Sequence, residues 1–193
     1  MDERVLVAIG SSDGGIEAMK SFFDCTPHGQ ATYIILRHIP FTHHTMLDKI
    51  LQGYSKLKIK EAENDVLIEK DIVYMASGSM YMTVNDDRLF LHKRNQQNLF
   101  PNWSIDVFLQ SLAQEKGRKS IAVILSGNGA DGSKGCAHIK KAGGIVIVQE
   151  PSSCKRKSMP ENVIKEGVTD YILIPADMPP IVLKHVEIML KKH

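Results

Sequence analysis

Cysteine is scarce in this chain, with only Cys25, Cys136 and Cys154 among 193 residues. The count is odd and contains neither a CxxC pair nor Cys/His spacing suited to zinc, which argues against a disulfide scaffold or a structural metal. Reduced thiols in a cytoplasmic protein fit best. Charge of one sign is also lacking: 24 basic and 22 acidic residues leave a formal net charge of +2. That balance argues against nucleic acid as a partner, which would call for a strong basic excess. Long apolar runs are missing too. None approaches a membrane span, so no membrane insertion is expected. Asp2, Glu3 and Arg4 precede a short apolar run and do not make a signal peptide. No repeat, low-complexity tract or linker is visible.

What is present is ordinary globular composition, 43% hydrophobic and 24% charged. The length suits one domain, 1–193, and is short for two. Apolar runs rich in β-branched residues recur at Val5–Ile9, Thr32–Leu36, Ile121–Leu125, Ile145–Val148 and Tyr171–Ile174. They are near-continuously apolar, as buried strands of a parallel sheet are. Helical patterns lie between or after them at Glu17–Phe23, His43–Leu51, Ser104–Glu115, Ser133–Ala142, Pro160–Glu166 and Met178–Lys192. This alternation predicts a doubly wound α/β fold, a mostly parallel sheet with helices on both faces. Three close-spaced runs, Ile72–Met75, Tyr81–Val84 and Leu89–His92, predict an added β-hairpin inserted in, or on the edge of, that sheet.

The first strand runs into Gly10-Ser11-Ser12-Asp13-Gly14-Gly15 and then a helix. Gly10, Ser12 and Gly14 fit G-x-S-x-G, in which a sharp strand-to-helix turn presents one serine at the carboxyl end of a sheet. Backbone N–H groups at the helix start then face a developing oxyanion. A plain tight turn or a phosphate loop is the competing reading. The loop is not G-x-G-x-x-G, and no Gly-Lys-Ser/Thr follows, so nucleotide binding is poorly supported.

A serine nucleophile needs a base and a group that orients the base. His38 follows the second strand and can face Ser12, because strand ends align along one edge of a parallel sheet. Asp131 follows the third main run within Ser126-Gly127-Asn128-Gly129-Ala130-Asp131-Gly132. Its competing role is an ordinary cap on the helix that starts near Ser133. Three strand ends, each supplying one member of a triad, outweigh the separate bland readings. The order Ser-His-Asp differs from chymotrypsin, subtilisin and the α/β-hydrolases. The run Lys155-Arg156-Lys157 reads as a solvated loop, with contact to an acidic partner as the sharper alternative.

On these residues the chain resembles the catalytic domain of the chemotaxis protein-glutamate methylesterases. Ile9–Gly15 is similar to I-G-x-S-T-G-G, Arg37–Pro40 to Q-H-M-P, and Ser126–Gly132 to T-G-M-G-x-D-G. Trp103-Ser104-Ile105-Asp106 resembles P-S-V-D, and Ser158-Met159-Pro160 resembles G-M-P. The resemblance implies Ser12 as nucleophile, His38 as general base and acid, and Asp131 as the orienting carboxylate. It implies hydrolysis of glutamate γ-methyl esters on the cytoplasmic helices of a methylated chemoreceptor, with glutamine deamidation in many members. No cofactor or metal would be needed.

The first strand begins at Val5, so control by a fused receiver domain is expected to be absent or to lie on a separate receiver or signalling protein. Asp13 stands where the family has threonine, and Asn128 where it has methionine. Both are expected near oxyanion and substrate, together with Gly14 and Met159. Net repulsion of the oxyanion by Asp13 is the expectation. Two other readings compete: a non-enzymatic homologue that binds receptors or signalling partners, and a small-molecule esterase on the same scaffold.

Overall fold

The computed structural model describes residues 4–29, 31–37, 46–76, 80–93 and 103–191. Seven strands form the main sheet: β1 (Val5–Ser11), β2 (Ala31–Arg37), β3 (Lys58–Glu61), β5 (Ile72–Met75), β8 (Ser120–Ile124), β9 (Ile145–Gln149) and β10 (Tyr171–Leu173). Their order is β10-β9-β8-β1-β2-β5-β3, and every neighbouring pair is parallel. All seven residues of β1, at the sheet centre, are buried. That explains its continuous apolar character, because both of its faces meet helices.

Alternation along β1 divides the core in two. Leu6 and Ala8 join one cluster with Phe108, Leu109 and Leu112 of α3 (Ser104–Lys116), Ile139 of α4 (Ser133–Lys141) and Val163 of α5 (Ser158–Lys165). Val5, Val7 and Ile9 join the other with Met19, Phe22 and Phe23 of α1 (Gly15–Asp24), Leu51 of α2 (Leu47–Gln52) and Val182 of α6 (Met178–Lys191). Phe22, Phe23 and Tyr33 of β2 meet edge to face, with ring centroids 5.3–6.0 Å apart. Each such contact adds about 0.5–1.5 kcal/mol beyond burial. They lock the last turn of α1 onto β2. Among the described residues no helix is long and apolar enough to cross a membrane.

The middle of the chain departs from expectation. Ile72–Met75 is β5, a parallel strand of the main sheet between β2 and β3. The hairpin of β6 (Met80–Asn85) and β7 (Arg88–Lys93) forms a separate antiparallel sheet with β4 (Val66–Leu67) instead of extending the main one. Asp86 and Asp87 make its two-residue turn with φ of 49° and 56°, the left-handed pair a type I′ turn requires. Met82, Val84 and Leu89 pack this small sheet into the α3 side of the core. The helix expected over His43–Leu51 is seen at Leu47–Gln52, and residues 43–45 lie outside the described residues. Lys192, expected at the end of the last helix, lies outside them as well.

Candidate active site

From β1 the sheet grows to β2 on one side and to β8 on the other, so the chain reverses direction between β1 and β8. In doubly wound sheets, ligands bind outside the carboxyl ends of the strands at such a reversal. Ser12 follows β1 directly, and the segment 125–132 follows β8. Two backbone bonds join them: Leu125 N–H donates to Gly10 O at 2.9 Å, and Ser12 N–H to Ser126 O at 3.1 Å. Ser12 is partly exposed at this mouth.

The turn after Ser12 bends at Gly14, whose φ is +79°. Among the described residues, the non-glycine positions with left-handed φ are Asp65, Asp71, Asp86 and Asp87. Ser12 therefore lacks the strained backbone of an α/β-hydrolase elbow, although the strand-turn-helix context is the same. Gly14 is required twice over. Its φ disfavours any side chain, and a Cβ there would lie 2.6 Å from Lys155 Cβ and 2.7 Å from Ser126 Oγ.

A third segment, 151–158, closes the site from the β9 side. Arg156 N–H donates to Ser126 Oγ at 2.9 Å, and Gly127 N–H donates to Arg156 O at 2.9 Å. Gln149, buried at the end of β9, accepts from Ser126 N–H at 2.8 Å and donates to Ser153 O at 3.1 Å. Gly127 presses directly on the serine. A Cβ there would stand 3.0 Å from Ser12 Cβ and 2.8 Å from Met159 Sδ. Met159 is fully buried, and its thioether packs against the Gly127 turn. Asn128 is exposed at the tip of the same turn.

The basic run is an exposed loop, as expected, and it also makes contacts at the site. Lys155 packs over Gly14, Lys157 pairs with Glu161 at 3.1 Å, and Arg156 Nε donates to Asp13 Oδ2 at 2.7 Å. The Arg156 hydrogen bond, followed by its charge and that of Lys155, holds the Asp13 carboxyl below the usual carboxylate range. Asp13 is thus ionised but compensated, which weakens the expected repulsion of an oxyanion. Sequence offered little warning of this contact, since the two residues stand 143 positions apart. Cys154, in the same segment, is no rival nucleophile. Burial, aided by Glu161 and Glu150, pushes its thiol up to about 11.

Asp131 is 2% exposed. It does not cap α4, the helix that follows it. Its carboxylate crosses to α3, where Oδ2 accepts from Ile105 N–H at 2.9 Å and Oδ1 from Asp106 N–H at 2.8 Å. The α4 terminus is capped instead from α3, because Asp106 Oδ1 accepts from Gly132 N–H at 2.9 Å and Gly135 N–H at 2.7 Å. The P-S-V-D resemblance pointed at Asp106 without giving it a role. His38 lies outside the described residues; β2 ends at the preceding residue, Arg37, which pairs with Ser11. Among the described residues no three His, Cys, Asp or Glu side chains are grouped as a metal would need.

The sequence model of the CheB methylesterase family matches residues 7–182. This chain belongs to that family. A protein-glutamate methylesterase/protein-glutamine glutaminase of Pyrococcus horikoshii is 31% identical over 96% of this chain and 52% of its own length. A putative one of Leptospira interrogans is 32% identical over 86% of this chain and 87% of its own. The chain therefore spans about half the length of some relatives and most of others. The crystal structure of the Thermotoga maritima CheB methylesterase catalytic domain superposes with a TM-score of 0.85 at 32% identity. The superposition covers 93% of this chain and 97% of that one. The expected fold class and family resemblance are borne out.

Proposed function

We propose that this chain is a cytoplasmic serine hydrolase of one domain that removes methyl groups from glutamate γ-esters on the helices of a chemoreceptor. The observation that carries the reading is the placement of Ser12. It is partly exposed at the sheet's reversal point, pressed by Gly127, with the buried Asp131 carboxylate in the same neighbouring turn. In this reading His38 takes the Ser12 proton as Oγ attacks the ester carbonyl carbon. The tetrahedral intermediate expels methanol, which receives that proton, and leaves an acyl-Ser12 ester. Water, deprotonated by His38, then releases the glutamate carboxylate and regenerates Ser12. A glutamine side chain follows the same course with ammonia as the leaving group. Each oxygen of the Asp131 carboxylate offers two lone pairs, so an imidazole N–H can bond it alongside the Ile105 and Asp106 amides.

Compensation of Asp13 by Arg156 favours an active enzyme over a binding-only homologue. The test is twofold. A fluorophosphonate should label wild-type chain at one residue, Ser12, and methylated receptor should yield methanol in excess of simple methyl esters. Absence of labelling would leave only a binding module. Faster turnover of small esters than of receptor would point to a small-molecule esterase.

A further inference from the structure

We infer that Asp106 is a positioning residue for Asp131: its carboxylate fixes the turn that carries Asp131, as Asp131 fixes the helix turn that carries Asp106. The inference rests on the triad reading above and deepens it. The two residues exchange caps across helices. Asp131 accepts two amides of the α3 start, and Asp106 accepts two amides of the α4 start, all four at 2.7–2.9 Å. Neither helix has a side-chain cap from its own N-cap residue, Trp103 or Gly132. Each terminus therefore takes its anion from the other's segment, where the helix dipole favours negative charge.

The approach is close because glycine permits it. A Cβ on Gly135 would lie 2.6 Å from Leu109 Cβ and 3.1 Å from Asp106 Cα. Gly132, the residue after Asp131, has φ of +98° and would place a Cβ 3.1 Å from Ile105 Cγ2. The turn bearing Asp131 is thus pinned from behind by the Asp106 carboxylate at the very next amide. Two carboxylates set this near one another have a cost. Burial raises the Asp106 pKa, with the Asp131 charge adding to it and the Gly135 and Gly132 amides opposing. A serine or asparagine at 106 could accept the same amides without a second buried charge. The bonds, and not the second charge, hold the turn, and a fixed turn is what a carboxylate needs if it must keep an imidazole in one orientation.

The test compares kcat and KM of Asp106→Ala, Asp106→Asn, Asp131→Ala and the double alanine variant at equal folded concentration. Asp106→Ala should lower kcat on the order of 10- to 100-fold, the scale of a small misplacement in a catalytic group, with KM within about twofold. Asp106→Asn, which keeps an acceptor oxygen, should recover to within about threefold of wild type. In the Asp131→Ala background, Asp106→Ala should add little, because the two act as one unit. A folded Asp106→Ala chain with wild-type kcat overturns the inference, as do losses that multiply in the double variant. Should alanine prevent folding, Asp106→Glu, which keeps the charge but displaces the carboxylate, takes its place: a kcat loss on the order of 10-fold or more, absent from Asp106→Asn, supports the positioning role, and wild-type kcat overturns it. Ser12→Ala serves as the separate control: full activity in that variant refutes the triad reading, whereas loss of activity there with wild-type kcat in the Asp106 variants overturns the positioning inference alone.

Discussion

Replacing Asp131 by asparagine separates its structural load from its chemistry. The carboxylate is 2% exposed and gives one oxygen each to Ile105 N–H and Asp106 N–H. Asparagine keeps one acceptor and turns an NH₂ toward the other amide, so one buried backbone donor loses its partner. A hydrogen bond to a charged group contributes about 1.5–3 kcal/mol, and the lost anion at the α3 terminus removes about 0.3–1 kcal/mol more. Relief of repulsion with Asp106 returns about 1 kcal/mol. The net loss is about 1–3 kcal/mol. At roughly 2–4 °C per kcal/mol for a domain of this size, the melting temperature should fall by roughly 2–12 °C. Urea unfolding should show a lower midpoint with unchanged slope. An Asp131→Asn chain as stable as wild type would refute the cross-helix capping account, whatever its activity.

Other outcomes follow from the same geometry. Asp13→Thr should change kcat/KM by less than about threefold because Arg156 already compensates the carboxylate, whereas Arg156→Ala should be the slower variant under the proposed mechanism, since it leaves the Asp13 charge beside Ser12 uncompensated. The depressed Asp13 pKa means that its ion pair is present above the usual carboxylate range and lost only as pH falls through the folded value. From pH 5 to 8 it does not titrate, so Asp13→Thr should leave the shape of the pH profile unchanged; under the proposed triad kcat/KM should rise with pH through the histidine range, since a general base acts in its neutral form. Gly14→Ala places a Cβ 2.6 Å from Lys155 Cβ at a φ of +79°; it should cost about 2 kcal/mol or more in urea unfolding and slow fluorophosphonate labelling of Ser12.

The central strands of the main sheet are readable because they are buried on both faces, as the continuous apolar run Val5–Ile9 shows. β3 escaped notice since Lys58-Ile59-Lys60-Glu61 is an exposed edge strand, and charge on an edge is what protects it from further pairing. The hairpin was legible from Asn85-Asp86-Asp87, but its sheet was not. Only tertiary packing decides that β5 joins β2 while β6 and β7 pair apart. Within the site, the glycine loops and Ser12 announced themselves by local spacing. The Arg156–Asp13 pair and the Asp106–Asp131 exchange did not, because each joins segments 25 or more residues apart with no local signature.

The most direct test of the account is methanol release from methylated receptor by wild type and by Ser12→Ala at equal folded concentration. The account predicts a fall on the order of 10⁴-fold or more. Release by Ser12→Ala at near the wild-type rate would contradict it.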